Sequence, residues 1–214
     1  MSLRRPSLRA LRTFAPLGAG LLLALAAPPA AARAQDPATA AARPAPATGV
    51  TTVIVVRHAE RAEVPGNDPP LSAAGERRSL ALLDALREAG VQAVVTTQLQ
   101  RTRLTAAPLA RELGLEPEVV PAGGDVAEHV RRVAEHVTTR HAGRTVVVVG
   151  HSNTVPAIVA ALGGGTVAPL AETAYDDLFV VLKPATGAAR RLHARYGSPS
   201  GAPAAAGPMT PPAR

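Results

Sequence analysis

Short runs of apolar, mostly β-branched residues recur along the chain between Val50 and Tyr196. Two of them, Thr51–Val56 and Thr145–Val149, are apolar or β-branched at every position. Such runs are typical of strands that are buried on both faces of a parallel sheet. The last two runs flank a short segment that contains proline and glycine, and they predict a hairpin. The predicted strands are Thr51–Val56, Ala93–Thr96, Glu118–Val120, Thr145–Val149, Leu178–Leu182 and Arg190–Tyr196.

Segments with helical spacing lie between these strands. Ser72 is a good N-cap for the first helix, and Gly90 suits its C-terminal end. Asp125 is placed to cap the third helix, whereas Pro108 predicts a kink or a late start in the second. Because strands and helices alternate, the sequence predicts an α/β fold, a three-layer α/β/α domain with a mostly parallel sheet. The predicted helices run from Ser72 to Gly90, Gln100 to Glu112, Asp125 to His141 and Thr154 to Leu162.

The ends of the chain have compositions that do not suit a folded domain. Residues 1–34 have the layout of a secretory signal peptide, in which a basic start precedes an apolar stretch of about 11 residues, too short to span a bilayer. We expect cleavage after Ala34, export to the periplasm or the medium, and no stable membrane anchor after cleavage. Residues 35–49 predict an Ala/Pro-rich linker and residues 197–214 a disordered Pro/Ala/Gly tail, which leaves residues 50–196 as the domain.

Charge and composition narrow the range of ligands. The full chain carries +7, but five of its 23 basic residues and none of its 16 acidic residues fall in the predicted signal peptide. The remainder carries only +2 and three aromatic residues. It therefore indicates neither a basic surface nor a base-stacking platform, and no nucleic-acid partner is predicted. The chain has no cysteine, which excludes disulfides and a lipid anchor on cysteine.

Two histidines follow the ends of the two most apolar strands. His58 stands between Arg57 and Arg61, and His151 follows the later strand. The carboxyl ends of parallel strands meet at the edge where open α/β proteins bind ligands. Arg101 follows another predicted strand at that edge. Three guanidinium groups there suit a phosphate dianion, and a histidine among them suits a nitrogen nucleophile, so we expect a small phosphorylated substrate.

Four segments resemble motifs of the histidine phosphatase superfamily, whose members are similar to phosphoglycerate mutase. Arg57-His58-Ala59-Glu60 is similar to the family's Arg-His-Gly-Glu signature, and with Arg61 it also resembles the Arg-His-Gly-x-Arg of the acid phosphatase branch. The resemblance covers about residues 50–196 and implies a phosphoglycerate mutase-like fold. The other three motifs are residues 68–75 (a Leu-Thr-x-x-Gly segment), residues 98–106 (the second arginine motif) and residues 149–153 (the second histidine motif).

The resemblance also implies a role for each residue. His58 would attack phosphorus and become a phosphohistidine, while its other ring nitrogen donates to a backbone carbonyl. Arg57, Arg101 and His151 would hold the phosphoryl oxygens, and Arg61 would add to that grip. These fixed groups would stabilise the transition state without a metal or another cofactor.

Three carboxylates are candidates for the proton donor to the leaving group. Members of the family supply an acid from a loop roughly 25 residues after the second arginine, or directly after the second histidine, where this chain has Ser152. Asp125 and Glu128 fall in the first window. Asp125 follows two glycines that give it freedom to move, and it also reads as a helix N-cap. Glu60 is the third candidate and is more often a structural residue.

The other histidines do not predict a metal site. His129 and His136 lie seven residues apart on one predicted helix face, but two such ligands without a nearby carboxylate or cysteine set are weak grounds for a metal. We therefore expect both to be solvated helix residues, and His141 and His193 to be surface residues.

The expected function is hydrolysis of phosphomonoesters by an exported enzyme. One alternative is a phosphoglycerate mutase-type phosphotransferase, which export disfavours because glycolytic substrates are cytosolic. A second is a protein-phosphohistidine phosphatase, which the compact size favours. A third is a non-catalytic module that binds a phospho-ligand, which the presence of His58 disfavours. The segments that would cap the pocket, Ala62–Pro70 and Pro121–Glu128, are short, which favours an open site and small or end-exposed phosphate groups.

Overall fold

A single six-stranded sheet forms the centre of the computed structural model, which describes residues 49–200. The predicted signal peptide lies outside the described residues, as do residues 35–48 of the predicted linker and residues 201–214 of the predicted tail. The strands are β1 (Thr51–Arg57), β2 (Ala93–Thr96), β3 (Glu118–Val119), β4 (Thr145–Gly150), β5 (Asp177–Lys183) and β6 (Arg190–Arg195).

The strand order is β3-β2-β4-β1-β5-β6. The first four of these strands are parallel to one another, whereas β5 runs antiparallel to β1 and pairs with β6 as a hairpin. The mostly parallel sheet and the final hairpin of the sequence prediction are therefore both confirmed.

Helices connect the parallel strands and lie on the two faces of the sheet. They are α1 (Ala73–Leu86), α2 (Gln100–Glu112), α3 (Val126–Arg140) and α4 (Val155–Val159), and α4 runs into a π-helical segment, Ala160–Gly164. Helices α1 and α2 pack into one apolar cluster with one face of the sheet, and α3 and α4 into a second cluster with the other face. The predicted three-layer α/β/α arrangement is confirmed.

Strand β1 shows why the apolar runs are continuous. Val53 and Val55 belong to the cluster with α3 and α4, whereas Ile54 and Val56 belong to the cluster with α1 and α2. A strand that is covered on both faces needs an apolar residue at every position rather than at every second one.

The start of α1 is fixed against the segment that follows β1. Ser72 caps the helix by accepting a hydrogen bond from the Gly75 amide at 3.2 Å, as predicted, and its own amide donates to the Glu60 carbonyl at 2.9 Å. A Cβ atom on Gly75 would collide with that carbonyl. Gly75 is therefore required because the two backbone segments approach closely at this point. The side chain of Arg78 also holds the Glu60 carboxylate at both oxygens.

Some predicted boundaries and faces differ from the structure. Helix α1 ends at Leu86 rather than near Gly90, and Pro108 lies inside α2 without delaying its start at Gln100. Val126 has helical spacing with the buried valines of α3, but it is the first residue of that helix and is exposed. The α-helical part of the last helix ends at Val159, before the π-helical segment begins.

Among residues 49–200, no helix combines the length and the apolar character that a membrane span requires.

Candidate active site

The register of the two central strands places His58 beside His151. Arg57 at the end of β1 is level with Gly150 at the end of β4, and the His58 amide donates to the Gly150 carbonyl at 2.9 Å. The centroids of the two imidazole rings are 5.4 Å apart, with 60° between the ring planes. Both side chains are buried. The two histidines that the sequence singled out therefore share one location.

A backbone carbonyl sets the orientation and tautomer of His58. Its Nδ1 lies 2.8 Å from the carbonyl oxygen of Ala59, and a carbonyl only accepts, so Nδ1 carries the proton. Nε2 is left with its lone pair. The Ala59 peptide is held in turn, because its amide donates to Thr105 Oγ1 in α2 at 2.9 Å. The expected hydrogen bond from the second ring nitrogen is present.

The surroundings of His58 keep it neutral. Burial lowers its pKa to about 3, although the bond to Ala59 opposes the shift; His151 and the charges of Arg57 and Arg101 add to the lowering. At neutral pH the ring therefore has an unprotonated nitrogen, which is the form that can act as a nucleophile.

The Thr97 hydroxyl lies against His151 and is itself held by Thr102. Thr102 donates to the Leu99 carbonyl at 2.9 Å, so the Thr97 hydroxyl, 2.9 Å away, donates to Thr102 and keeps a lone pair for His151 Nε2 at 3.3 Å. This favours a proton on Nε2 of His151. Burial, followed by the charge of Arg101, lowers the His151 pKa to about 4. Sequence reasoning missed Thr97, although it directly follows the predicted strand β2.

Arg57 supports a loop as well as facing the site. Its Nη1 donates to the carbonyls of Ala171, Glu172 and Ala174 at 2.9 to 3.0 Å, and its Nη2 pairs with the Glu172 carboxylate at 3.0 Å. The guanidinium carbon lies 4.1 Å from the centroid of the Tyr175 ring. Its Nε is buried and makes no hydrogen bond within the described part of the chain. Nε is therefore the donor that remains for a ligand.

Arg101 has more donors without a partner. Its Nε and Nη1 are buried without a hydrogen bond among residues 49–200, and Nη1 lies 3.7 Å from Asp68. Burial and the neighbouring charge of Arg61 lower the pKa of the Arg101 guanidinium. Arg61 itself is exposed, in a single β-bridge with Leu71, and its charge also lowers the pKa of His151. A guanidinium whose pKa is lowered by a neighbouring cation lies where a bound anion would be stabilised.

Asp125 borders the cleft that contains Arg101 and His151. This cleft has a volume of about 270 Å³, and His129 also lines it. The Asp125 carboxylate caps α3 by accepting from the Ala127 amide at 3.2 Å, so it acts as an N-cap and also lies at the rim of the site.

The other two acidic candidates are engaged elsewhere. Glu128 pairs with Arg131 and Arg132, and the hydrogen bond from Arg131 contributes most to lowering its pKa. Glu60 is held at both oxygens by Arg78. A carboxylate that is fixed in an ion pair is a poor proton donor, so the geometry favours Asp125 among the three.

The prediction of solvated histidines is wrong at two positions. His129 is buried, because its Nδ1 donates to the Pro121 carbonyl at 3.0 Å on the sheet side of α3. His141 is also buried, since it caps α3 where the chain turns back towards β4. His136 lies with its Nε2 2.6 Å from Glu118, a carboxylate that the sequence analysis did not connect with it.

Comparison with known proteins gives the same family as the motifs. The profile of the histidine phosphatase superfamily (branch 1) matches residues 53–122, which include His58 and Arg101. A PE-PGRS family protein of Mycobacterium tuberculosis, PE_PGRS11, is 34% identical over 84 residues, which are 34% of this chain and 14% of that protein. The chain therefore matches about a seventh of the length of this curated relative.

Solved structures share the fold over nearly their whole length. The protein histidine phosphatase SixA, complexed with tungstate, has a TM-score of 0.55 and 22% identity and covers 67% of this chain and 96% of its own. A mycobacterial glucosyl-3-phosphoglycerate phosphatase, complexed with inorganic phosphate, has a TM-score of 0.52 and 20% identity, covering 69% and 97%. A SixA phosphohistidine phosphatase candidate from Nakamurella multipartitia has a TM-score of 0.50 and 27% identity, covering 71% and 97%.

The fold is that of a phosphoglycerate mutase-like α/β protein, and the two histidines lie together at one edge of its sheet. Residues 53–122 of this chain match the profile of the histidine phosphatase superfamily, as the four motifs predict, and the solved structures share its fold.

Proposed function

We propose that this chain is an exported phosphomonoesterase that hydrolyses small phosphate esters through a phosphohistidine on His58. The observation that carries the proposal is the juxtaposition of a neutral nucleophile and free cationic donors. Nε2 of His58 has its lone pair free, and the buried Nε of Arg57 and the Nε and Nη1 of Arg101 have no protein acceptor among residues 49–200. Unpaired buried guanidinium donors are costly unless an anion binds them.

The first step forms a bond between His58 Nε2 and phosphorus. The bond from phosphorus to the ester oxygen breaks, and the leaving alkoxide takes a proton from Asp125. Charge builds on the three equatorial oxygens, where Arg57 and Arg101 stabilise it, with Arg61 at the rim. The bound phosphate dianion raises the pKa of His151, so that its protonated ring also stabilises these oxygens.

In the second step water attacks the phosphohistidine. The Asp125 carboxylate accepts a proton from the water, the nitrogen–phosphorus bond breaks, and inorganic phosphate leaves. His58 returns to its neutral form with Nδ1 still bonded to Ala59. These residues supply the nucleophile, the acid and the positive charge, so we propose that the reaction needs no metal ion and no other cofactor.

A protein-phosphohistidine phosphatase is the second candidate. Two of the similar structures are described as phosphohistidine phosphatases of the SixA type. The segments around the site are short, and a shallow site would admit a phosphohistidine on the surface of another protein. A mutase or a binding module has no comparable observation in its favour.

The test is a panel of phosphomonoesters and a phosphohistidine-carrying protein, assayed for phosphate release with the wild type and with His58→Ala. We expect release from small esters and a loss of at least about a thousandfold in the variant, because the nucleophile is removed. His193→Ala, on the outer strand β6, is the control and should keep the wild-type rate. A variant that retained more than about a tenth of the rate would remove His58 from this role.

Export is a separate part of the proposal and rests on the composition of residues 1–34. We expect the exported protein to begin at Gln35, which N-terminal sequencing would read directly. Recovery of only the full-length chain from the cytosol would contradict it.

A further inference from the structure

A second cluster of histidines lies away from the active site. Glu118 begins β3, His136 lies in the second half of α3, and His141 caps the C-terminal end of that helix. One ligand atom from each of these three residues lies within 4.8 Å of the other two. His136 is 11 positions after Asp125 on the helix, which corresponds to roughly 16 Å.

The carboxylate of Glu118 faces both imidazoles. Its Oε2 is 2.6 Å from Nε2 of His136, and its Oε1 is 3.2 Å from Nε2 of His141. The two ring centroids are 5.6 Å apart. Two imidazole nitrogens and one carboxylate form a ligand set that zinc takes in proteins, with a fourth position open to water.

An independent observation at His141 points to a missing partner. The residue is 4% exposed, and neither Nδ1 nor Nε2 makes a hydrogen bond within the described residues, although Glu118 Oε1 lies 3.2 Å from Nε2. Buried polar groups in native proteins are almost always satisfied by protein, water or an ion. A metal ion bound at Nε2 would satisfy this nitrogen.

The chain contains a histidine–carboxylate pair that lacks these features. His193 on β6 lies 2.8 Å from Asp177, but its side chain is 45% exposed, and within residues 49–200 no third histidine or carboxylate joins the pair. This contact between two side chains provides a matched control.

We infer that Glu118, His136 and His141 bind a divalent transition metal ion, with zinc as the preferred ion. The ion would join the short edge strand β3 to the end of α3, whose other end carries Asp125 and His129 of the cleft. None of these three residues takes part in the proposed phosphoryl transfer. A bound ion would therefore stabilise the contact between β3 and the C-terminal end of α3. The inference does not depend on the proposed function.

The first test measures zinc binding to chelator-stripped protein in a His58→Ala background, so that the paired imidazoles of the active site do not add a second site. We expect one zinc ion per chain. Glu118→Gln and His136→Gln should each weaken affinity by more than about tenfold, whereas His193→Gln should leave it within about twofold. Circular dichroism establishes that the variants are folded. Wild-type affinity in both ligand variants, or no stoichiometric binding, would overturn the inference.

The second test needs no substitution in the cluster. Crystals of the zinc-soaked protein, measured at the zinc absorption edge, should show an anomalous peak between the three side chains. A peak only at His58 and His151, or only at lattice contacts, would overturn the inference.

A third test uses thermal unfolding. Zinc should raise Tm by about 5 °C or more in His193→Gln but not in Glu118→Gln.

Discussion

One carbonyl oxygen decides which nitrogen of His58 can react. The Ala59 carbonyl fixes the proton on Nδ1, and the Thr105 hydroxyl fixes the Ala59 peptide. The proposed nucleophile is therefore oriented by two successive hydrogen bonds, and neither depends on a charged group. Burial then keeps the ring neutral. A site arranged in this way needs no separate base to activate its nucleophile at neutral pH.

Replacing Asp125 by Asn should slow hydrolysis selectively. An alkyl phosphate needs a proton on its leaving oxygen, so its kcat/KM should fall by about a hundredfold or more, whereas nitrophenyl phosphate should lose little because nitrophenolate leaves unprotonated. The two substrates are compared with Glu128→Gln as the control, which should affect neither. Equal losses on both substrates would indicate that the aspartate only caps α3, and a selective loss in Glu128→Gln would transfer the role to that residue.

Acid should weaken the fold through the active-site histidines. The pKa values of His58 and His151 fall from 6.5 to about 3 and about 4. As the pH falls, these two histidines are therefore protonated in the unfolded chain at a higher pH than in the folded chain. The stability that they contribute is present above about pH 6.5 and is lost between about pH 6.5 and 4. Between pH 7 and 5, His58 alone should account for about 1 to 2 kcal/mol.

Urea unfolding of the wild type and of His58→Asn at both pH values measures this contribution. The variant should lose less stability than the wild type on acidification, because it lacks one of the two groups. The carboxylates titrate in both proteins, so their contribution to the pH dependence of stability cancels in the comparison. An equal loss in the two proteins would contradict the assignment to His58.

At the scale of elements, α1 and the segment after β1 act as one unit. The Glu60 carbonyl accepts from the Ser72 amide, the Glu60 carboxylate is held by Arg78, and Arg78 also donates to the Tyr196 carbonyl at 3.1 Å. Glu60, two positions after His58, therefore holds the backbone next to that histidine in place, and this structural role accounts for the residue without a chemical one.

Gly75→Ala should destabilise the domain by about 1 to 3 kcal/mol, because the new methyl group must displace the Glu60 backbone. Gly123→Ala is the matched control, since a Cβ atom there meets open space and its φ is not positive. Chemical denaturation of the two variants at pH 7 measures the difference. Similar stabilities would show that the Glu60 backbone can move away from α1 at little cost in free energy.

Helix and strand positions could be predicted from the sequence because each depends on a local pattern. The strand Ala93–Thr96 and the helix Gln100–Glu112 have the predicted bounds. Contacts between distant segments leave no such pattern. Glu118 is 18 positions from His136, and nothing in the spacing indicates that a two-residue edge strand brings the two together. The two site histidines could be predicted because the ends of parallel strands meet at one edge of the sheet. The contacts of Thr97 with His151 and of Tyr175 with Arg57 depend on how distant segments pack, and the sequence does not show that.

At the scale of the whole molecule, removal of zinc by a chelator should affect the stability of the protein but not its catalytic activity. In zinc-loaded protein, EDTA should leave kcat/KM for a small phosphomonoester within about twofold at 25 °C, because arginine side chains supply most of the positive charge at the proposed site. The same treatment should lower Tm if Glu118, His136 and His141 hold the ion. Added zinc should restore Tm. A loss of activity that zinc reverses would contradict a metal-free mechanism while leaving the zinc site intact.

The two edges of the sheet affect how the protein behaves at high concentration. At one edge β3 is only two residues long, and at the other β6 is exposed along its whole length and carries Arg190, Arg191 and Arg195. An exposed strand offers unpaired backbone groups to a neighbouring copy, but a strand that is too short, or that bears like charges, makes a poor template for such pairing. Self-association into extended sheets is therefore opposed at both ends, by shortness at one and by repulsion at the other, and high salt should weaken only the second protection.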